Sequence, residues 1–242
     1  MAARVAVVDL EMGNLASVER ALQHVAPAVE FVRVRGPAAL QGAAAVVLPG
    51  VGAFAAAMEA LRQRELLGPV VRWLEQGRPL LGICLGFQLL FEASEEAGAG
   101  PAPPAAVAGV GWFRGTVRRF QPPLTVPHMG WNQLHHTGLA SPLLEGVDDG
   151  SYVYFAHSYY AAQASLADGR PVAVATTRVG GAQAEVEFVS AAWHEAAGGV
   201  QFHPEKSGHV GLRVLANFLR FALGERAVGP AGGPLAVAGE RP

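Results

Sequence analysis

The chain has 242 residues, 51% of them hydrophobic and 16% charged, with a formal net charge of −2. That length suits one large α/β domain with a substantial core, and a near-neutral balance without a long basic run excludes the electrostatic footprint of a nucleic-acid binder. One cysteine excludes an intrachain disulfide, residues 1–9 turn polar too early for a secretory signal, and no apolar run reaches membrane-spanning length, so a cytoplasmic protein away from membranes is expected.

Residues 4–10 read as a buried parallel strand, because Val5, Ala6, Val7 and Val8 run together without alternation. A helix follows, with Val18, Ala21, Leu22 and Val25 on one face. Strands are expected at 29–34 and 43–48, so the opening alternates β and α as a doubly wound sheet does. The third strand ends in Pro49-Gly50-Val51-Gly52-Ala53-Phe54, a loop beyond the carboxyl end of a strand, where α/β sheets bind ligands. Two amphipathic segments fill 55–76. A strand then leads into Cys84, with a helix expected to run to about residue 96. Residues 98–109 are Ala/Pro/Gly-rich and read as an exposed loop. From residue 110 the character changes to short β-branched or aromatic segments at 110–120, 124–134, 151–160, 172–177, 184–193 and 199–202. A helix at 207–223 closes the pattern. The fold class expected is α/β: an open mixed, mainly parallel sheet flanked by helices, with a β-rich second half. Residues 1–224 are expected to form a single domain and 225–242 a disordered tail.

Gly82-Ile83-Cys84-Leu85-Gly86 ends an apolar run and opens a helical one. This order suits a strand that turns sharply into a helix with Cys84 at the bend, where free backbone N–H groups favour thiolate. A cysteine ending a core strand is also an ordinary buried residue; the two flanking glycines favour the reactive reading. A thiolate acting on a carbonyl needs a base and an orienting group. Among eight histidines, His24, His135, His136, His194 and His209 lie on a helix or in polar turns. His128 and His157 sit in strand-like segments and read equally well as hydrogen-bonded core residues. His203 stands out, because Pro204 biases it towards extended geometry and Glu205 lies two residues on, on the same side of an extended run. A His-Pro turn capped by an acid fits that spacing equally well.

Gly82-Ile83-Cys84-Leu85-Gly86-Phe87-Gln88 together with His203-Pro204-Glu205 resembles the triad-type class I glutamine amidotransferases. Within them, Pro49–Phe54, Pro127-His128-Met129-Gly130-Trp131-Asn132, His157-Ser158-Tyr159-Tyr160 and Phe202–Gly208 are similar to the glutaminase subunits of imidazole glycerol phosphate synthase, across about residues 4–223. The resemblance implies the flavodoxin-like architecture of that class and a glutaminase domain with Cys84 as nucleophile, His203 as base and Glu205 as its orienter. It further implies an oxyanion hole from the Leu85 N–H and a backbone N–H of Gly50, Val51 or Gly52, and a substrate site at Gln88, Ser158 and Tyr159. Gln88, one helical turn beyond Cys84, lies on the same face by spacing alone.

Ammonia released into bulk water would protonate and cease to be a nucleophile, so the resemblance also implies a separate partner, a (β/α)8-barrel cyclase forming a heterodimer. Asn14, Met129, Trp131 and Lys206 match positions near that interface. The likeness implies low activity until the cyclase binds its nucleotide, with a shift of the Gly50–Val51 peptide as the switch. No cofactor, metal, nucleic acid or membrane is implied. A glutaminase serving a pyridoxal phosphate or purine synthase is the alternative, and a non-catalytic binding protein would need a broken triad. The loop at 97–109 and the tail after residue 223 depart from the family pattern.

Overall fold

The structure, a computed structural model, describes residues 3–11, 15–96, 106–181, 184–225 and 228. β1 (Arg4–Val8) leads into α1 (Leu15–Val25), β2 (Glu30–Val34) and β3 (Ala45–Gly50), and α2 (Phe54–Gln63) and α3 (Leu67–Glu75) precede β4 (Leu80–Cys84). The single-turn α4 (Leu85–Gln88) then gives way to β5 (Phe91–Ser94), β6 (Val107–Ala108) and β7 (Phe113–Arg119). Next come β8 (His128–Gln133), β9 (His135–His136), β10 (Tyr152–His157) and β11 (Tyr159–Ala161). A long pair, β12 (Ala173–Gly181) and β13 (Ala184–His194), is followed by β14 (Ala197–Val200) and α5 (Gly208–Leu223).

Among the described residues the main sheet has the order β2-β1-β3-β4-β14-β13-β12-β9. It is parallel from β2 to β14 and antiparallel beyond. Strand alternation decides which core each residue joins. Val5 and Val7 pack with Val18 and Leu22 of α1 and Val214 and Phe218 of α5, whereas Ala6 and Val8 pack with Met58 and Leu61 of α2 and Val70 and Leu74 of α3. Burial on both faces explains why β1 shows no alternating polarity. Two smaller assemblies, a β8–β10 ribbon and a β11-β7-β5-β6 sheet, extend beyond the carboxyl ends of the parallel strands.

Three expectations need correction. The helix after Cys84 lasts one turn, because Leu89 and Leu90 leave it to accept main-chain N–H groups from Val110 and Phe113, and Phe91 opens β5. Phe87, Phe91 and Phe113 interlock there with centroids 5.1–6.5 Å apart, so residues 89–91 are buried on every side and carry no periodicity to separate helix from strand. His135 and His136 form a short edge strand on β12 rather than a loop. Finally, Glu205 reaches His203 through a 3-10 turn at Pro204–Lys206, not along an extended run. Asn14, the loop at 97–105 and nearly all of the tail lie outside the described residues. No helix among the described residues is long and apolar enough to cross a membrane.

Candidate active site

Cys84 ends β4 and opens α4 at φ +52° and ψ −108°, a backbone conformation that costs a non-glycine residue about 1–3 kcal/mol. The flanking glycines permit it by contact. A Cβ on Gly86 would stand 1.7 Å from the Leu48 carbonyl oxygen, and one on Gly82 would stand 2.7 Å from the Gly86 carbonyl oxygen. The neighbouring loop obeys the same logic. Gly50 pairs in register with Cys84 and its absent Cβ leaves room for Leu85, while Gly52 takes φ +106°.

β14 runs parallel beside β4, so the chain that leaves it at Gln201–His203 passes the Cys84 sulfur. His203 lies close enough to Cys84 for the two to interact electrostatically, and its Nδ1–H donates to Glu205 Oε1 at 2.9 Å. Burial works against the imidazolium, but the hydrogen bonds and charges of Cys84 and Glu205 outweigh it and push His203 up to about 10. Ser207 holds the turn in place: its hydroxyl donates to the His203 carbonyl at 2.7 Å and accepts the Tyr154 N–H at 2.9 Å. The three residues are buried together.

Above the sulfur lies a cavity of about 220 Å³, lined by Val51, Gly52, Cys84, Leu85, Gln88 and Glu96 on one side and by Pro127, Met129 and Ala156–Tyr159 on the other. Glu96, which the sequence reading missed, is the carboxylate of this lining. It accepts the Phe54 N–H at the start of α2 at 2.8 Å, and burial raises its pKa against that hydrogen bond. Gln88 also lines the cavity, with Nε2 donating to the Tyr159 carbonyl at 2.8 Å and to Gln201 Oε1 at 3.0 Å. Both amide hydrogens are thereby engaged, so a ligand meets its amide oxygen. His157 is driven down to about 3, first by burial, against its hydrogen bond to the Tyr159 carbonyl, and further by the nearby His128 and His203. It therefore faces the cavity as a neutral ring. A second cavity, about 40 Å³, lies behind the 50–52 loop against Asp9, His203, Glu205 and Lys206, and Val51 borders both.

Met129 and Trp131 alternate outwards on β8, 64% and 56% exposed, beside Tyr152 on β10 at 53%. Trp131 packs edge-on to Tyr154, and the Lys206 ammonium lies 5.7 Å from the centre of the same Tyr154 ring. This apolar face begins where the larger cavity opens, since Met129 belongs to both.

The family pattern of glutamine amidotransferase class-I matches residues 6–221. This chain belongs to the class-I glutamine amidotransferases. The imidazole glycerol phosphate synthase subunit HisH of Thermococcus kodakarensis is 48% identical over 216 residues, covering 89% of this chain and 99% of that protein. The subunit of the same name from Thermosynechococcus vestitus is 47% identical, covering 89% and 95%. Among solved structures, a crystal structure of a glutamine amidotransferase aligns with TM-score 0.63 at 21% identity over 90% of this chain and 98% of that one. PurLQS from Thermotoga maritima aligns with TM-score 0.66 at 19% identity over 91% and 99%. At such identities these structures bear on the amidotransferase fold alone, which is the α/β architecture expected from the sequence.

Proposed function

We propose that Cys84, His203 and Glu205 hydrolyse the side-chain amide of glutamine. His203 takes the thiol proton, and the sulfur attacks the amide carbon. The oxyanion forms against the Leu85 N–H and a backbone N–H of the Gly50–Gly52 loop. Collapse of that intermediate expels ammonia, which receives its proton from the His203 imidazolium, and leaves a γ-glutamyl thioester. A water deprotonated by His203 then releases glutamate and restores the thiol. Glu205 holds the imidazole through Nδ1 and stabilises its charged form.

Glu96 and the Gln88 amide oxygen suit the substrate's ammonium, and the main chain at Ser158 and Tyr159 suits its carboxylate. The placement of His203 and Glu205 beside Cys84, which itself lines the larger cavity, carries the reading. In this reading the chain is the glutaminase subunit of imidazole glycerol phosphate synthase, acting in the cytoplasm in histidine biosynthesis. Its ammonia passes to a (β/α)8-barrel cyclase docked on Met129, Trp131 and Lys206, with Asn14 nearby. Val51 borders both cavities, so a turn of the Gly50–Val51 peptide on docking would change what faces the sulfur.

The test is glutamate release from glutamine with the cyclase subunit and its nucleotide present. Turnover is expected, and Cys84→Ala should abolish it; a Cys84→Ala protein that still releases glutamate would remove the thiol from the reaction. Glu96→Gln keeps an acceptor for the Phe54 N–H but loses the charge. It should raise KM for glutamine about tenfold with kcat little changed.

A further inference from the structure

Gln201 is fully buried and no part of the reading above uses it. Its Nε2 lies 3.8 Å from the Cys84 sulfur, as a donor. The orientation of a buried amide has to be read from its network, and here the network leaves no choice. It starts at the Tyr159 main-chain carbonyl, which can only accept. That oxygen receives Gln88 Nε2 at 2.8 Å and His157 Nδ1 at 2.8 Å, so both of its lone pairs are used. The second hydrogen of Gln88 Nε2 points to the Gln201 side chain at 3.0 Å, which must therefore offer its oxygen there and its nitrogen to the sulfur.

The histidine side of the same anchor has a single direction as well. With Nδ1–H of His157 spent on the carbonyl, Nε2 must accept, and His128 Nδ1 donates to it at 3.1 Å. His128 Nε2 must then accept in turn, and Asn132 Nδ2 lies 3.2 Å away to supply the hydrogen. Burial keeps both imidazoles neutral, as this arrangement requires.

We propose that Gln201 is a further catalytic residue, whose side-chain N–H is held on the Cys84 sulfur by a chain anchored at the Tyr159 carbonyl and steadies the thiolate for attack. Gln88 acts as the positioning residue, since its amide sets the direction of the Gln201 amide without touching the sulfur. A thiolate formed by proton transfer to His203 has the imidazolium on one side. Gln201 supplies a neutral donor from a second direction, which confines the sulfur lone pairs as well as stabilising the charge. This proposal rests on the thiolate chemistry of the preceding section and adds the group that aims it.

The test is the rate of Cys84 alkylation by iodoacetamide at fixed pH in the full-length protein, with Gln201→Met and Gln201→Glu beside the parent. Met keeps the volume without a donor; Glu keeps the acceptor that Gln88 needs and replaces the donor with an oxygen. Both should be alkylated about 10- to 100-fold more slowly, the effect of losing one hydrogen bond to a charged group. Gln88→Met, which frees Gln201 to turn, should fall between these and the parent. A Gln201 variant with the parental circular dichroism and melting midpoint that is alkylated at the parental rate would overturn the proposal. Iodoacetamide is not a glutamine substrate, so slowed alkylation of the variants beside a parent that fails to hydrolyse glutamine even with the cyclase subunit and its nucleotide present would sink the glutaminase reading and leave this one standing.

Discussion

Cys84, His203 and Glu205 illustrate what single residues contribute and how each is checked. The Glu205 carboxylate orients an imidazole that lies beside the Cys84 sulfur. Glu205→Gln leaves a hydrogen-bond acceptor but removes the charge, and kcat for glutamate release should fall about 10²- to 10⁴-fold. Its effect on stability has a definite sign. His203 is raised from 6.5 to about 10, so its contribution is complete below 6.5 and is lost as pH rises towards 10. Thermal midpoints of the parent should therefore decline over that window, and Glu205→Gln should flatten the decline. A parallel slope in both proteins would mean that Glu205 does not hold the imidazolium.

The elbow is a property of elements. β3, β4 and β14 lie side by side, and α4 starts so close to β3 that Gly86 rests on the Leu48 carbonyl. Gly86→Ala puts a methyl 1.7 Å from that oxygen, backbone against backbone, where no side chain can give way. Either the helix start or β3 must move. The expected loss is about 3 kcal/mol or more, a drop in melting midpoint of roughly 6–12 °C for a chain of this size. A Gly86→Ala protein melting with the parent would show that the elbow tolerates displacement. The β8–β10 ribbon is a second element-level device: its inner side carries the hydrogen-bonded His128 and His157, of which His157 lines the cavity, and its outer side presents Met129 and Trp131.

At the scale of the whole molecule, two buried histidines of opposite tendency shape the pH profile. His157 is held neutral down to about 3, so its contribution is present above 6.5 and is lost as pH falls towards 3, the reverse of His203. Stability should peak near pH 6.5, and His157→Gln should flatten the acid limb alone in thermal melts across the range. The exposed face at the cavity mouth makes a prediction about assembly. Trp131→Ala should weaken binding of the cyclase partner about 30-fold or more by titration calorimetry, with the melting midpoint unchanged, as for an aromatic anchor at an interface centre. Unchanged affinity would place the docking surface elsewhere.

Sequence by itself determined what depends on near neighbours. The glycines around Cys84 announce a bend because no side chain fits there, and the adjacency of Glu205 to His203 keeps a carboxylate within reach of the ring, though through the 3-10 turn at Pro204–Lys206 and not along an extended run. The unbroken apolar run of β1 announces a strand covered on both faces. What only the tertiary structure decided are pairings between distant positions: Gln201 reaches Cys84 across 117 residues, and Glu96 reaches the start of α2 across 42. Gln201 and Glu96 are common residue types whose spacing carries no signal until β14 is laid against β4 and β5 emerges beside α2. The one-turn length of α4 belongs with them, since an apolar stretch buried on all sides has no period. A hydrogen bond needs two groups within about 3 Å, and chain order constrains that distance only for residues close in sequence.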